Sequence, residues 1–393
     1  MDLPAFDFDK LVYLDNAATT YPKPVEILEA ATLAYERFGV NPGRSGYDLC
    51  IAAGDVVVET RRELTRFFGG TEPNRLVFSY NATDALNTII LGILESGDHA
   101  ISTTIEHNSV IRPLNHVARD RGVAVDFVPV EPNGTVDPER IAAHFRPNTR
   151  LVVINHGSNV IGTIQPVGEI GRRCRERGIV LAVDASQTAG IVPIDVQAMG
   201  IGALAFTGHK SLLAPTGIGG IYVTEGVDIH TTRFGGTGVQ SKDPFHLDNY
   251  PYRLESGTPN FLGIAGLHYA QKWIEARTLP GIYRHEMELF ARLQEGLAAI
   301  DGVTLHGTTS LDDRLPVLSL TIRGMDPADV GMMLDVDFNI ASRTGLQCAP
   351  LIHQQMGTGE RGTVRLSVGP MNKPSDIDAA LDAIREISRD HEA

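Results

Sequence analysis

Short apolar runs alternate with helical patterns through the first two-thirds of this sequence. The runs cover residues 75–78, 100–103, 150–154, 179–183 and 203–206, and helical periodicity follows the first two, near 83–94 and 108–121. Continuous apolar strands separated by helices are typical of a mostly parallel sheet that is covered by helices on both faces. The alternation therefore predicts the α/β class.

Polar residues follow each of these runs. They are Asn81–Thr83, Glu106–Asn108, Asn155–Asn159, Asp184–Gln187 and Thr207–Lys210. In open α/β sheets, ligands bind just beyond the carboxyl ends of the strands. Five polar exits from one sheet indicate one shared site.

Lys210 lies at the exit of the last run. A buried lysine is costly unless it is paired or chemically used, and its main use is a Schiff base with a carbonyl substrate or with pyridoxal phosphate. A pyridinium cofactor also needs an acid at its ring nitrogen, and Asp184, 26 residues earlier, is the candidate. The two residues also fit a surface lysine and a helix-capping aspartate, so the pattern alone leaves both interpretations open.

The pattern changes after Pro259 and predicts a smaller α+β domain. Helical segments are predicted near 262–277, 282–300 and 327–334, with strands at 303–305, 316–322 and 363–367. Ser375 is the expected N-cap of the last helix, with acidic residues in its first turn. The predicted division is a large domain over 17–260 and a small domain formed by 1–16 and 261–393.

Length and composition set limits on function. A chain of 393 residues exceeds the usual size of one core, which favours two domains. The net charge of −14 argues against nucleic-acid and anionic-membrane partners, and no apolar run is long enough to span a bilayer. The first residues contain no basic segment of the signal-peptide type. Cys50, Cys174 and Cys348 are far apart, which argues against disulfides and thiolate metal sites and favours the cytoplasm.

Six motifs recur in a fixed order along the chain. They are Tyr13–Thr20, Glu106–Asn108, Ser158–Thr163, Val183–Gln187, Gly208–Lys210 and Glu255–Asn260, and a late Arg-Thr-Gly-x-x-Cys at 343–348 follows. Together they resemble the class V aminotransferases, specifically the cysteine desulfurase and selenocysteine lyase family, from about residue 12 to 385. The resemblance implies the pyridoxal-phosphate-dependent transferase fold of type I.

The resemblance also implies a pyridoxal 5'-phosphate cofactor and the residues that hold it. Lys210 would carry the cofactor, Asp184 would pair with its ring nitrogen, and His107 would stack on the ring, although this histidine also fits a helix cap. The remaining implied contacts come from Ala82, Thr83, Asn159, Gln187, Thr207 and His209. Gln187 would donate to the phenolate oxygen, and the two threonines and His209 to the phosphate. Thr258 would reach the phosphate of a neighbouring subunit, which implies a homodimer. Without the resemblance, a threonine in this Gly-Thr-Pro segment would indicate only a turn.

Two further residues decide the implied reaction. Arg365 and Asn159 would hold the carboxylate of the substrate, because guanidinium geometry suits bidentate binding; a surface strand arginine is the alternative. Cys348 lies in a loop pattern with polar flanks and matches the catalytic cysteine of desulfurases, whereas an isolated cysteine is usually apolar filling. The implied reaction converts L-cysteine to L-alanine: Lys210 removes the α-proton, the Cys348 thiolate takes the sulfur as a persulfide, and His107 carries a proton.

The motifs also depart from the family pattern and leave alternatives open. The 17-residue interval from Cys348 to Arg365 resembles group II desulfurases, which favours transfer of the mobilised sulfur, as in iron–sulfur cluster assembly, to an acceptor protein or a small thiol. Leu346 and Gln347 replace histidines that are often found there. A selenocysteine lyase shares the cofactor residues, and another class V aminotransferase or amino-acid lyase would not need the cysteine. Gly217–Gly220 could suggest a nicotinamide dehydrogenase, but the sequence lacks the full G-x-G-x-x-G motif there. A non-catalytic sulfur relay would keep Cys348 but would need neither Lys210 nor Asp184.

Overall fold

The computed structural model describes residues 7–43 and 45–392. In chain order its helices are α1 (Val25–Phe38), α2 (Asp48–Phe67), α3 (Ala82–Ile93), α4 (Asn108–Arg121), α5 (Pro138–Ala143), α6 (Val167–Glu176), α7 (Phe261–Arg277), α8 (Leu279–Ala298), α9 (Pro327–Phe338), α10 (Pro350–Gln355) and α11 (Pro374–Glu392). Its strands are β1 (Val12–Tyr13), β2 (Leu76–Ser79), β3 (His99–Thr103), β4 (Ala124–Val128), β5 (Thr149–Asn155), β6 (Val180–Asp184), β7 (Ala203–Thr207), β8 (Gly219–Val223), β9 (Val303–His306), β10 (Val317–Ile322), β11 (Ile340–Ala341), β12 (Arg343–Gly345) and β13 (Thr363–Ser367). None of the helices in these described ranges has the length and apolar character needed to cross a membrane.

A seven-stranded sheet forms the centre of the molecule, with the order β2-β8-β7-β6-β5-β3-β4. The strands from β4 to β7 pair in parallel, while β8 is antiparallel to both of its neighbours. Side chains of β5 alternate between two cores: Val152 and Ile154 pack with residues of α2, α6 and α7, whereas Leu151 and Val153 pack with residues of α3 and α4. The predicted α/β class, with a mostly parallel sheet covered on both faces, is confirmed.

Strand β8 was not predicted, because two glycines open it. A Cβ atom added to Gly219 would lie 2.5 Å from the carbonyl oxygen of Phe206, and one added to Gly220 would lie 2.5 Å from the Phe206 ring. Glycine is therefore needed for close approach of β7 and β8. The segment Gly217–Gly220, which could suggest a dehydrogenase, leads into this strand. Close packing of the strands explains the glycines at 219 and 220.

A second core lies in the C-terminal part of the chain. The antiparallel sheet β12-β13-β10-β9 packs on α8, α9 and α11, and β1 joins the same region by pairing in parallel with β11. Helix α7, which the predicted division assigns to the small domain, packs on α1 and α2 of the other core. The boundary at residue 260 remains a prediction.

The prediction that Ser375 is the N-cap of the last helix is wrong. Helix α11 begins at Pro374, so Ser375 lies inside its first turn. Proline is favoured at the first helical position because its missing N–H has no partner there in any case. The Asp376 carboxylate instead accepts the backbone N–H of Lys373 at 3.0 Å and the side-chain amide of Asn372 at 2.9 Å.

Candidate active site

The polar exits of the central strands meet the C-terminal loops around one cavity of about 310 Å³. Eleven of the twelve predicted site residues line it: Ala82, Thr83, His107, Asn159, Asp184, Gln187, Thr207, His209, Lys210, Cys348 and Arg365. The prediction of one shared site from the strand exits agrees with this arrangement. The roles assigned to the individual residues remain proposals.

Lys210 lies inside the cavity, three residues beyond the end of β7. Burial lowers the pKa of its amine from 10.5 to about 8, and the nearby Asp184 carboxylate partly opposes this effect. A lysine with such a pKa has a substantial neutral fraction near neutral pH, so its nitrogen can act as a nucleophile or a base. The alternative of an ordinary surface lysine does not fit this environment.

Asp184 ends β6 and is 5% exposed. Its Oδ1 accepts the backbone N–H and the hydroxyl of Ser186 at 2.9 and 2.5 Å. The carboxylate can accept a hydrogen bond from a ring N–H. Beside it, Gln187 donates one amide hydrogen to the Ala17 carbonyl at 2.9 Å, which leaves its second amide hydrogen available.

His107 is at once the N-cap of α4 and a wall of the cavity. Its Nδ1 accepts the backbone N–H of Ser109 at 3.0 Å, so the neutral ring carries its proton on Nε2. Burial, with the Lys210 charge as a second cause, lowers the pKa of the imidazole to about 4. The capping and cavity interpretations are therefore compatible, and the ring is neutral at physiological pH.

One end of the cavity is suited to a phosphate group. Helix α3 begins there at Ala82, and Asn81 caps it by accepting the Asp84 N–H at 3.0 Å. The first N–H groups of a helix have no partner inside the helix and attract anions. The buried Thr207 hydroxyl has no hydrogen-bond partner in the described part of the chain. An unpaired buried hydroxyl beside a helix N-terminus fits the phosphate of pyridoxal phosphate.

Arg365 also lines the cavity and is 3% exposed. Its Nη1 donates to the Asn159 carbonyl at 3.0 Å, and its Nη2 pairs with Asp15 Oδ1 at 2.5 Å. Its Nε has no hydrogen-bond partner among the described residues. The guanidinium therefore has an unused donor, which suits a carboxylate ligand and not the surface position considered as the alternative.

Cys348 is exposed at the cavity, whereas Cys50 and Cys174 are buried. Residues 347 and 348 both have positive φ, 40° and 59°, and three contacts hold this turn. Asn108 donates its N–H to the Cys348 carbonyl at 2.7 Å, the Asn159 amide donates to the Gln347 carbonyl at 2.8 Å, and the Gln347 amide donates to Thr363 at 3.0 Å. Gln347, one of the two residues that depart from the family pattern, thus anchors the cysteine turn.

Thr258 is the predicted site residue that lies elsewhere. It lines a separate cavity of about 250 Å³, together with Tyr80, Arg233 and Glu255. A residue that serves the cofactor of a neighbouring subunit need not face its own cavity. The predicted role of Thr258 therefore remains a prediction.

Among the site residues that sequence reasoning did not single out, four bear directly on its chemistry. Arg343 and Asn155 line the cavity, Ser186 supports Asp184, and Asp15 pairs with Arg365. Arg343 lies on β12 directly opposite Arg365 on β13. All four carry a usable signal. Asn155 opens a predicted polar exit and Ser186 lies inside another, while Asp15 and Arg343 lie within the motifs at 13–20 and 343–348. Within the described ranges, no group of three histidine, cysteine, aspartate or glutamate residues is arranged to hold a metal ion.

Comparisons with known proteins give the family. Residues 12–380 match the family model described as Aminotransferase class-V. The chain therefore belongs to the class V aminotransferase family, whose members use pyridoxal phosphate in general.

Within that family, the similar proteins are cysteine desulfurases. A probable cysteine desulfurase of Methanothermobacter thermautotrophicus is 33% identical over 383 residues, which cover 96% of this chain and 94% of the relative. One from Halalkalibacterium halodurans is 32% identical, with 94% and 91% covered. The apo structure of a cysteine desulfurase from Thermococcus onnurineus superposes with a TM-score of 0.90 at 30% identity and covers 97% and 95%. The predicted family and fold type are confirmed.

Proposed function

We propose that this chain is a pyridoxal-phosphate-dependent cysteine desulfurase that converts L-cysteine to L-alanine and holds the sulfur as a persulfide on Cys348. The observation that carries the proposal is the single cavity that contains Lys210, Arg365 and the exposed Cys348. A transaminase or a simple lyase has no need for the third of these residues. The fold and the relatives support the same reaction.

The cofactor site is built from groups at the strand exits. Asp184 would hold the ring nitrogen, Gln187 the phenolate oxygen, and the α3 N-terminus with Thr83, Thr207 and His209 the phosphate. When bound, pyridoxal phosphate draws electrons away from the bonds around the α-carbon of an amino acid. Lys210 is the one amine among the residues that line the cavity, which makes it the attachment point we assign.

Substrate orientation is the role of Arg365. Its unpaired Nε and its rigid fork bind the α-carboxylate, and the contacts to Asp15 and Asn159 keep the plane of the guanidinium fixed. Lys210, with a pKa of about 8, supplies the neutral amine that takes the α-proton. Both groups act on the same end of the amino acid, so the side chain of the substrate is left to face the remaining wall.

Sulfur transfer is the role of Cys348. Its thiolate attacks the sulfur of the substrate; the Cβ–S bond breaks, its electron pair stays on carbon, and protonation gives the methyl group of alanine. The sulfur stays on the enzyme as Cys348-S-SH, so the overall step needs no external oxidant. His107, whose neutral ring carries its proton on Nε2, is the proton-carrying group that we assign to this step.

The surroundings of Cys348 support delivery to an outside thiol. The residue is exposed and its turn is held by Asn108 and Asn159, so an acceptor protein or small thiol comes to the persulfide. We further propose a homodimer in which Thr258 donates to the phosphate of the partner's cofactor. The cytoplasmic setting predicted from the unpaired cysteines stays a prediction.

Anaerobic incubation of the cofactor-loaded protein with L-cysteine tests the proposal. We expect stoichiometric alanine and sulfide in the presence of a reducing thiol, and a mass increase of one sulfur atom on the Cys348 peptide when the thiol is omitted. Cys174→Ser is the matched control, because Cys174 is buried in α6. Alanine production that continues without sulfur on Cys348 would refute the persulfide route.

Selenocysteine lysis is the second candidate function, since the cavity residues serve both substrates. The same assay with L-selenocysteine gives the ratio of kcat/KM values. A ratio that strongly favours selenium and survives Cys348→Ser would replace the desulfurase assignment.

A further inference from the structure

Asp15 forms an ion pair with Arg365 but is not among the residues that line the cavity. Their Nη2 and Oδ1 atoms are 2.5 Å apart, with side-chain exposures of 3% and 15%. Arg365 therefore lines the cavity as one half of an ion pair.

The backbone keeps this pair together. Asp15 forms a parallel bridge with Ser367, two residues beyond Arg365 on β13. The Ser367 N–H donates to the Leu14 carbonyl at 2.8 Å, and its hydroxyl accepts the Ala17 N–H at 2.9 Å. Asp15 and Arg365 thus belong to one hydrogen-bonded layer, so a ligand meets Arg365 with Asp15 still in place.

Two other cations and the Asp184 carboxylate share the cavity with Arg365. Arg343 lies opposite Arg365 in the β12–β13 register, and Lys210 shares the cavity. Without Asp15, the two arginines would attract a small anion more strongly through charge. With Asp15 in place, a carboxylate still meets the guanidinium, whose Nε has no partner among the described residues, but the net Coulomb attraction is smaller.

We propose that Asp15 is a positioning residue that fixes the guanidinium of Arg365 and keeps the carboxylate subsite selective for amino acids over simple anions. A substrate that is also held through its amino group is retained, whereas an anion that offers only a carboxylate is released. This inference rests on the proposed function for the assignment of Arg365 to the substrate carboxylate.

Propionate is the probe that isolates this subsite, because it has the carbon chain and carboxylate of alanine but no amino group. We compare the cofactor-loaded wild type, Asp15→Asn and Asp7→Asn by isothermal titration with propionate. Asp7 pairs with Lys10 at the surface and does not line the cavity, so its variant makes the same charge change outside the site. We expect Asp15→Asn to bind propionate on the order of tenfold more tightly, since a like charge near the ligand is lost. Asp7→Asn should match the wild type.

A change below about twofold, or weaker binding, in Asp15→Asn overturns the inference. Asp15→Glu restores the charge, so it should return the affinity towards the wild-type value. If the asparagine variant does not fold, Asp15→Ser leaves room for water beside the guanidinium and should also bind propionate more tightly. Tighter binding in an enzyme that does not desulfurate cysteine would refute the proposed function alone; desulfuration with unchanged propionate affinity would refute the inference alone.

Discussion

The pKa of Lys210 gives the sharpest test of the cavity. Burial lowers it from 10.5 to about 8, so about one-tenth of the amines are neutral at pH 7, against about 0.03% for an ordinary lysine. The neutral amine is the form that attacks an aldehyde. In cofactor-free protein, the rate of covalent attachment of pyridoxal phosphate should therefore be about 300-fold higher at pH 7 than an unperturbed lysine would give.

The pH profile of that attachment is the measurement. Followed by visible absorption, the rate should rise with pH, reach half of its maximum near pH 8, and fall about 90-fold between pH 9 and pH 6. The Asp184 carboxylate raises the pKa of Lys210, so Asp184→Asn should move the midpoint to lower pH. Borohydride reduction followed by peptide mapping must place the adduct on Lys210. A midpoint above about pH 9.5, or an adduct on another lysine, would refute the reasoning.

Three further changes should give measurable results. Cys348→Ser should keep the cofactor spectrum and substrate binding but lose cysteine desulfuration, because a serine hydroxyl is a far weaker nucleophile towards sulfur; full activity in this variant would exclude the persulfide. Thr258→Ala should weaken cofactor binding by about 1.5–3 kcal/mol if this hydroxyl reaches a partner's phosphate, and an active monomer in sedimentation would exclude that role. Glu286 is buried, and burial raises its pKa well above the ordinary value. The folded protein therefore loses stability as pH rises above about 4.5, because this carboxyl ionises more easily in the unfolded chain. Glu286→Gln should therefore raise the midpoint of thermal unfolding at pH 8 and have little effect at pH 4, and equal effects at both would contradict this.

The sequence predicted the elements in which local pattern and tertiary environment agree. The run at 203–206 is apolar on both faces, and the strand β7 there is buried on both faces, so its polar exit at Thr207–Lys210 could be placed with it. Strand β8 escaped prediction because Gly219 and Gly220 have low strand preference and are explained only by the Phe206 they contact.

Long-range pairs account for most of what the sequence did not reveal. Asp15 and Arg365 are 350 residues apart, and nothing local in either segment marks them as partners. Arg343 lies at the cavity because β12 pairs with β13, and this pairing depends on the tertiary fold. The positive φ of Cys348 likewise follows from anchors at Asn108 and Asn159, which lie far away in the sequence.

Most of the long-range hydrogen bonds of the segment from Val12 to Ala17 are made with residues between 339 and 372. A ribosome must therefore synthesise nearly the whole chain before the substrate end of the cavity can close, although the strands that carry Asp184 and Lys210 emerge much earlier. During synthesis, the cofactor end of the cavity can be assembled while Arg365 is still absent. We expect nascent chains that include α7, which completes the large core, but end before Arg365 to bind pyridoxal phosphate far better than they bind an amino acid.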